Sequence, residues 1–239
     1  MGPLDAMTPT ATPRRRVLVD PERLPGWFDR FAARHGLLRF ALDDGQIAID
    51  ASDAAHAWLD PIWEPISPDA ARDPAAVAEY YARDRRVGAL IVHRSAHAVG
   101  IFDGTSLVTG RHDSHYVQGR TKKGGWSQQR YARRRDNQAG RAMDEAADDV
   151  TAILLPEAGR LDALVAGGDS RAVRAVLAEP AFAGLRALLA RPVIAVPDPN
   201  QTVLRAFATT FRKVPIELDE AAQSGSVTPD VRTAPTSGE

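Results

Sequence analysis

At 239 residues the chain has room for one large domain or two small ones, and its 44% apolar and 26% charged residues are those of an ordinary globular protein. Thirty basic against thirty-one acidic side chains give a net charge of -1, which argues against a generally basic nucleic-acid coat. The absence of cysteine excludes disulfides, thiolate catalysis, iron–sulfur clusters and Cys-based zinc sites, and makes a reducing, cytoplasmic location the expectation. No segment approaches the ~18–20 uninterrupted apolar residues of a membrane span. Met1 to Arg16, with Pro3, Pro9 and Pro13 and no apolar run, is not a secretory signal. Only Lys122, Lys123 and Lys213 are lysines, leaving twenty-seven arginines beside 41 alanines. That bias is one of coding, so arginine abundance alone does not indicate phosphate binding.

Residues 1–15 and 222–239 are rich in Ser, Thr, Pro and Gly, and read as disordered tails around one domain of residues 16–221. Arg16 to Asp20 is a short strand. Leu24 to His35 is an amphipathic helix with Trp27, Phe28 and Phe31 on one face and Gly36 as its stop. Leu37 to Leu42 and Gln46 to Ile49, joined by Asp43-Asp44-Gly45, form a hairpin, and Ala75 to Arg86 a helix after Pro74. Val87 to His93, Ala96 to Phe102 and Ser106 to Gly110 then read as a three-stranded meander, followed by an extended piece from His112 to Gln118. From Arg130 to Leu155 the spacing predicts one long helix, with Ala139, Met143, Ala146, Val150, Ile153 and Leu154 as its apolar stripe. Leu161 to Ala166 is a strand, Arg171 to Leu177 and Phe182 to Ala190 are short helices, Val193 to Val196 a strand, Gln201 to Phe211 a helix and Ile216 to Leu218 a last strand. The alternation predicts an α/β fold in which a mixed β-sheet is covered by packed helices.

Between Arg120 and Arg141 eight basic residues stand against Asp136 alone, a charge of +7 in 22 residues, so the remainder of the chain sums to about -8. A solvated helix face alternates basic and acidic residues for i,i+4 pairing, and that pairing is nearly absent here. The repulsion calls for an external counter-charge, and RNA is the favoured source. Inside this stretch sits Gly124-Gly125-Trp126-Ser127-Gln128-Gln129. Paired glycines suit a loop that approaches another surface closely. A phosphate-binding P-loop would end in Gly-Lys-Ser/Thr, whereas the order here is Lys-Lys-Gly-Gly. An aromatic ring, a hydroxyl and two amides include no strong base, so catalysis would proceed by positioning water and stabilising charge.

The run from Arg120 to Arg135 resembles the catalytic loop and helix of eukaryotic and archaeal class I release factors, in which a Gly-Gly-Gln loop precedes a basic Arg-Phe-Ala-Arg helix. It is more similar still to the release-factor-like (VLRF) domain of the Vms/ANKZF peptidyl-tRNA hydrolases, including its actinobacterial branch. His115-Tyr116, Arg120 to Lys122, Gly125 to Gln128 and Arg130 to Arg135 follow that family's order, and the similarity extends over roughly Val17 to Asp219. The resemblance implies a release-factor catalytic-domain (ribonuclease-H-like) fold, with a basic Gly-Gly loop leading into a long helix. It also implies hydrolysis of the peptidyl-tRNA ester on stalled ribosomes or large subunits, a ribosome-associated quality-control activity in translation. Gly124 and Gly125 would thread among rRNA and the tRNA end, and an amide would orient water toward the ester carbonyl. His115, Arg120, Lys122, Lys123, Trp126, Ser127, Arg130, Arg133, Arg134 and Arg135 would contact RNA. An ungapped alignment to the release-factor helix places Trp126 where the Gly-Gly-Gln amide stands. The hydrolase pattern selects Gln128, favoured over the adjacent Gln129. Trp126 either stacks on a base or anchors the loop on the protein's own surface.

Other constellations are weaker. His112, Asp113 and His115, with His93 and His97, suggest a metal only superficially, because His-x-x-His on a strand points the two rings to opposite faces. Neither a metal nor another cofactor is expected. Asp50, Asp103, Asp148 and Asp149 could suit a two-metal nuclease, but turn and helix-surface roles explain them. Ser127 has no evident base partner and no Gly-x-Ser-x-Gly elbow is present. Trp27, Phe28, Phe31, Trp58 and Trp63 read as core. The expected partners are the large ribosomal subunit with its rRNA and peptidyl-tRNA, with no membrane association. The alternatives are a non-catalytic ribosome- or RNA-binding module on the same scaffold, and a hydrolase of free peptidyl-tRNA. Oligomeric state is not readable from the sequence.

Overall fold

The computed structural model describes residues 14–63, 66–93, 96–114, 140, 142–190 and 192–224. They divide into two compact units. One holds the residues up to Pro61, Ser67–Ala78 and the chain from Val214; the other holds Ile62–Ile66 and Glu79–Lys213.

The first unit is built on a five-stranded antiparallel sheet. Its strands are β1 (Arg15–Val19), β2 (Leu38–Asp43), β3 (Gln46–Ala51), β4 (His56–Leu59) and β9 (Val214–Leu218), in the spatial order β1-β9-β4-β3-β2. The β2–β3 hairpin turns on Asp44 and Gly45, both at positive φ (43° and 76°), as the two-residue turn of a twisted hairpin requires. Helix α1 (Leu24–His35) buries Leu24, Phe28 and Phe31, and Phe28 meets Phe40 of β2 edge to face at 5.4 Å. Ile47, Ile49, Ala57, Leu59, Val214 and Ile216 are buried, as alternation along β3, β4 and β9 demands. On the other sheet face Trp58 lies under the Arg14 guanidinium, 3.7 Å from the ring centroid, and beside His56. Trp27 and Trp58 are therefore only partly buried, whereas Phe28, Phe31 and Trp63 are core, as predicted.

The second unit holds the predicted mixed sheet. Its strands are β5 (Arg86–Val92), β6 (Ala96–Asp103), β7 (Ser106–Ser114) and β8 (Ala163–Gly168), in the order β7-β6-β5-β8. β5, β6 and β7 form the antiparallel meander, and β8 pairs with β5 in parallel. Alternate residues serve two cores. Leu90, Val92, Val99, Ile101, Leu164 and Ala166 pack against Ala146, Val150 and Leu154 and against α4 (Ser170–Val176) and α5 (Ala183–Ala187). Val87, Ala89, Ile91, Ala98, Phe102 and Val165 pack against Trp63 and α6 (Gln201–Phe211) through Leu204, Phe207 and Phe211. Gly100 and Gly110, cross-strand partners, allow α6 to lie close: a Cβ on Gly110 would stand 2.7 Å from Leu204 Cδ2. Among the described residues no helix is long and apolar enough to cross a membrane.

Helix α2 (Pro74–Ala82) ends before Arg86, where β5 begins, so it is shorter than the predicted span to Arg86. The predicted long helix is described as α3 (142–149), which widens at once into a π-helical turn, Val150–Leu154, and then tightens into a 3₁₀ helix, Leu155–Arg160. Pro156 can neither donate to the Ala152 carbonyl nor tolerate it, so a regular helix cannot continue. The N–H of Leu155 instead reaches the Val150 carbonyl. The predicted strand Val193–Val196 is reduced to a bridge between Ile194 and Gly167, hemmed by Pro192 and Pro197. β4 has no counterpart in the predicted elements. At the C-terminal side α7 (Glu220–Ser224) extends past residue 221 and buries Ala222.

Two outcomes follow for stability. Gly168 has φ +92°, and a Cβ there would stand 2.3 Å from the Val92 carbonyl oxygen. Gly168→Ala is therefore expected to destabilise the fold by about 2 kcal/mol, read from the denaturant midpoint. In the first unit, His35 Nδ1 donates to Asp53 Oδ2 at 2.9 Å and the Ala55 N–H to Oδ1 at 3.1 Å. These bonds, the imidazole's first, hold the Asp53 carboxyl below its ordinary value of 3.8. A depressed carboxylate stabilises the fold above its unfolded pKa, and that contribution is lost as the pH falls through the lower folded value. Below about pH 4 the wild type should accordingly lose stability more steeply than Asp53→Asn in paired acid titrations of unfolding.

Candidate functional site

The residues assigned to the functional loop lie outside the described residues: the proposed catalytic Gly124, Gly125, Gln128 and Gln129, and the RNA-contacting His115, Arg120, Lys122, Lys123, Trp126, Ser127, Arg130, Arg133, Arg134 and Arg135. The structure describes the two elements that flank them, β7 on one side and α3 on the other. β7 is an edge strand whose residues from Val108 to Asp113 are exposed. α3 lies against the face of the sheet that carries Leu90, Val99 and Ile101.

One carboxylate joins these elements. Asp149, the last residue of α3, accepts a hydrogen bond from His97 Nε2 on Oδ2 at 3.0 Å, and one from Arg111 Nη1 on Oδ1 at 3.1 Å. His97 belongs to β6 and Arg111 to β7. In the ladder His97 pairs with Asp113 and Val99 with Arg111, so both donors project toward α3. The His97 side chain is only 2% exposed and that of Asp149 16%, whereas Arg111 is largely in water at 62%. His97 Nδ1 is buried with no hydrogen-bond partner among the described residues. The network therefore runs from a dry imidazole through a half-shielded carboxylate to a solvated guanidinium. It contains no exposed nucleophile.

The sequence gives Asp149 a helix-surface role and His97 none beyond a rejected metal site, whereas the structure shields both in one hydrogen-bonded bridge. The available signal is His97 itself, a lone imidazole within the otherwise apolar strand Ala96–Phe102. Three other candidates, His93, Asp50 and Asp103, have partners of their own. His93 lies 3.1 Å from the Val196 carbonyl oxygen and 3.4 Å from Asp198. Asp50 bonds His56 at 2.7 Å, and Arg86 Nη1 bonds both oxygens of Asp103 at 2.8 and 2.9 Å. These bonds, with one to Glu157, hold the Arg86 guanidinium above its usual pKa. No group of three His, Asp or Glu among the described residues could hold a metal ion.

In chain order the basic glycine–glutamine segment lies between β7, the last strand of the meander, and α3, which packs on the sheet face. The family described as Actinobacteria/chloroflexi VLRF1 release factor matches residues 85–217, more than half of the chain, and the chain belongs to that family. No curated protein matches the sequence. Among solved structures, one titled as an archaeal protein is 16% identical, with a TM-score of 0.38 over 70% of this chain and 50% of that one. An archaeal translation termination factor, aRF1, is 12% identical, with a TM-score of 0.38 over 84% of this chain and 68% of that one. The chain thus spans about half the length of the first.

The Asp149 bridge has a measurable contribution to stability. Asp149→Ala leaves the buried His97 N–H without an acceptor and should cost about 2 kcal/mol, whereas Arg111→Ala, which breaks only the solvated arm, should cost under about 1 kcal/mol. Denaturant unfolding of the two variants beside the wild type checks both values.

Proposed function

We propose that this protein is a ribosome-associated peptidyl-tRNA hydrolase that releases nascent peptides from tRNA on stalled ribosomes or large subunits. The observation that carries the reading is the composition of the segment between β7 and α3: a charge of +7 around Gly124-Gly125 and the adjacent amides of Gln128 and Gln129, all within residues 85–217. The charge suits rRNA and tRNA phosphates, which set the pose without carrying sequence information. The glycine pair suits entry of a loop into a narrow RNA-walled site. The Gln128 amide holds a water against the ester carbonyl, with Gln129 as the neighbouring alternative. Water adds to the carbonyl carbon, the bond to the ribose oxygen breaks, one proton of the water restores the tRNA hydroxyl, and the peptide leaves as a carboxylate with the other proton passing to solvent. No residue of the segment is a strong base, so the rate comes from orienting the water and stabilising the developing oxyanion, to which rRNA and the tRNA ribose contribute. No cofactor enters this scheme, and the place of action is the cytoplasm.

The test is release of labelled peptide from peptidyl-tRNA on purified large subunits or stalled complexes. Gln128→Ala should lower single-turnover release by about a hundredfold or more with subunit binding unchanged, and Gln129→Ala should have a smaller effect. Full activity in both variants would remove the amide mechanism. Binding without release by the wild type would leave a non-catalytic ribosome-binding module.

A further inference from the structure

The bridge made by Asp149 goes beyond the release reading, on which it rests. We propose that Asp149 and His97 are positioning residues for peptide release, with Arg111 as their outer arm. By tying α3 to β6 and β7 they fix the separation and relative rotation of the two elements between which the glycine–glutamine segment runs.

Three observations carry this. First, the bonds cross between the flanking elements: Asp149 reaches His97 at 3.0 Å and Arg111 at 3.1 Å, on successive rungs of the β6–β7 ladder that face α3. Two bonds diverging from one carboxylate fix rotation as well as distance, which apolar contacts do not. Second, the choice of residues is not what packing favours. His97 shares its sheet face with Leu90, Val92, Val99 and Ile101 and is buried among residues of that kind. An imidazole with Nδ1 unsatisfied is costlier there than an apolar side chain of similar volume. Third, the π turn begins at Val150, the next residue. A π turn inserts an extra residue into the helical repeat and so changes which side chains face the sheet. Asp149 is the last residue before that change, and its two bonds hold α3 in register on the side that leads back to the functional segment. Placement matters on this scale, because an error of about 1 Å at a reacting centre costs about a hundredfold in rate.

The absence of cysteine allows clean site-specific labelling. Nitroxides attached after Val108→Cys on β7 and Asp144→Cys on α3, both exposed positions, report the distance across the bridge. This distance would be measured in the wild-type background and in Asp149→Asn and Arg111→Met, beside the kcat and KM of release. Arg111 is mostly solvated, so Arg111→Met keeps the test sound if Asp149→Asn folds poorly. The expected result is a narrow distance distribution that broadens in both variants, with kcat lowered about tenfold or more and KM within about twofold, and with Arg111→Lys restoring much of the rate. An unchanged distribution in folded Asp149→Asn overturns the tie, and unchanged kcat in both folded variants overturns its role in release. Wild type that binds subunits without releasing peptide overturns the hydrolase reading and the positioning role with it, while the distance distribution still decides the tie itself.

Discussion

The parallel pairing of β5 with β8 is the constraint on which the second unit depends. Parallel neighbours cannot be joined by a tight turn; the chain must return across the sheet to start the second strand from the same end as the first. Here the return contains β6 and β7, which extend the sheet away from β8 before the chain comes back over its face as α3. The end of β7 and the beginning of α3 are the two sides of that return path, and the +7 segment occupies the span between them. Its location is a consequence of topology before it is a consequence of any side chain.

The two cores show how this path is held. Successive residues of β5, β6 and β8 face alternately toward the α3 side and toward α6, so each strand is buried on both faces and reads as a nearly continuous apolar run. Glycines at 100 and 110 let α6 approach one face closely. On the other face the helical layer changes from α to π to 3₁₀ geometry over residues 142–160. A helix that alters its pitch on a flat face needs a fixed point, and the two hydrogen bonds of Asp149 supply one between α3 and the meander strands.

Much of this arrangement is legible in the amino-acid order, and what is not has physical reasons. Helices Leu24–His35 and Gln201–Phe211 carry their own stops and stripes, and the Asp44-Gly45 turn encodes its positive φ values. β4 escapes because four residues, His56-Ala57-Trp58-Leu59, are too few to show a period, and one of its two neighbours in the sheet, β9, lies far along the chain, with Ala57 paired to Leu218. The change of helix type at Val150 escapes because the apolar stripe continues through it, with Pro156 the local flag. The Asp149–His97 contact joins residues 52 apart, and a carboxylate next to Asp148 on a polar helix face has no local sign of burial. The amides and arginines of residues 120–141 are read from composition and order rather than from distant contacts, and they lie outside the described residues.

The place of β9 in the first sheet has an effect on how the protein is made. Residues 214–218 pair on one side with β1 and on the other with β4, so β1 is not joined to the β2–β3–β4 strands until β9 arrives. As the polypeptide emerges in order, the second unit has all its strands and α6 before residue 214 appears, while β1 waits with an open edge and β4 is paired only to β3. Of the two sheets, the one that β1 begins is the one completed later.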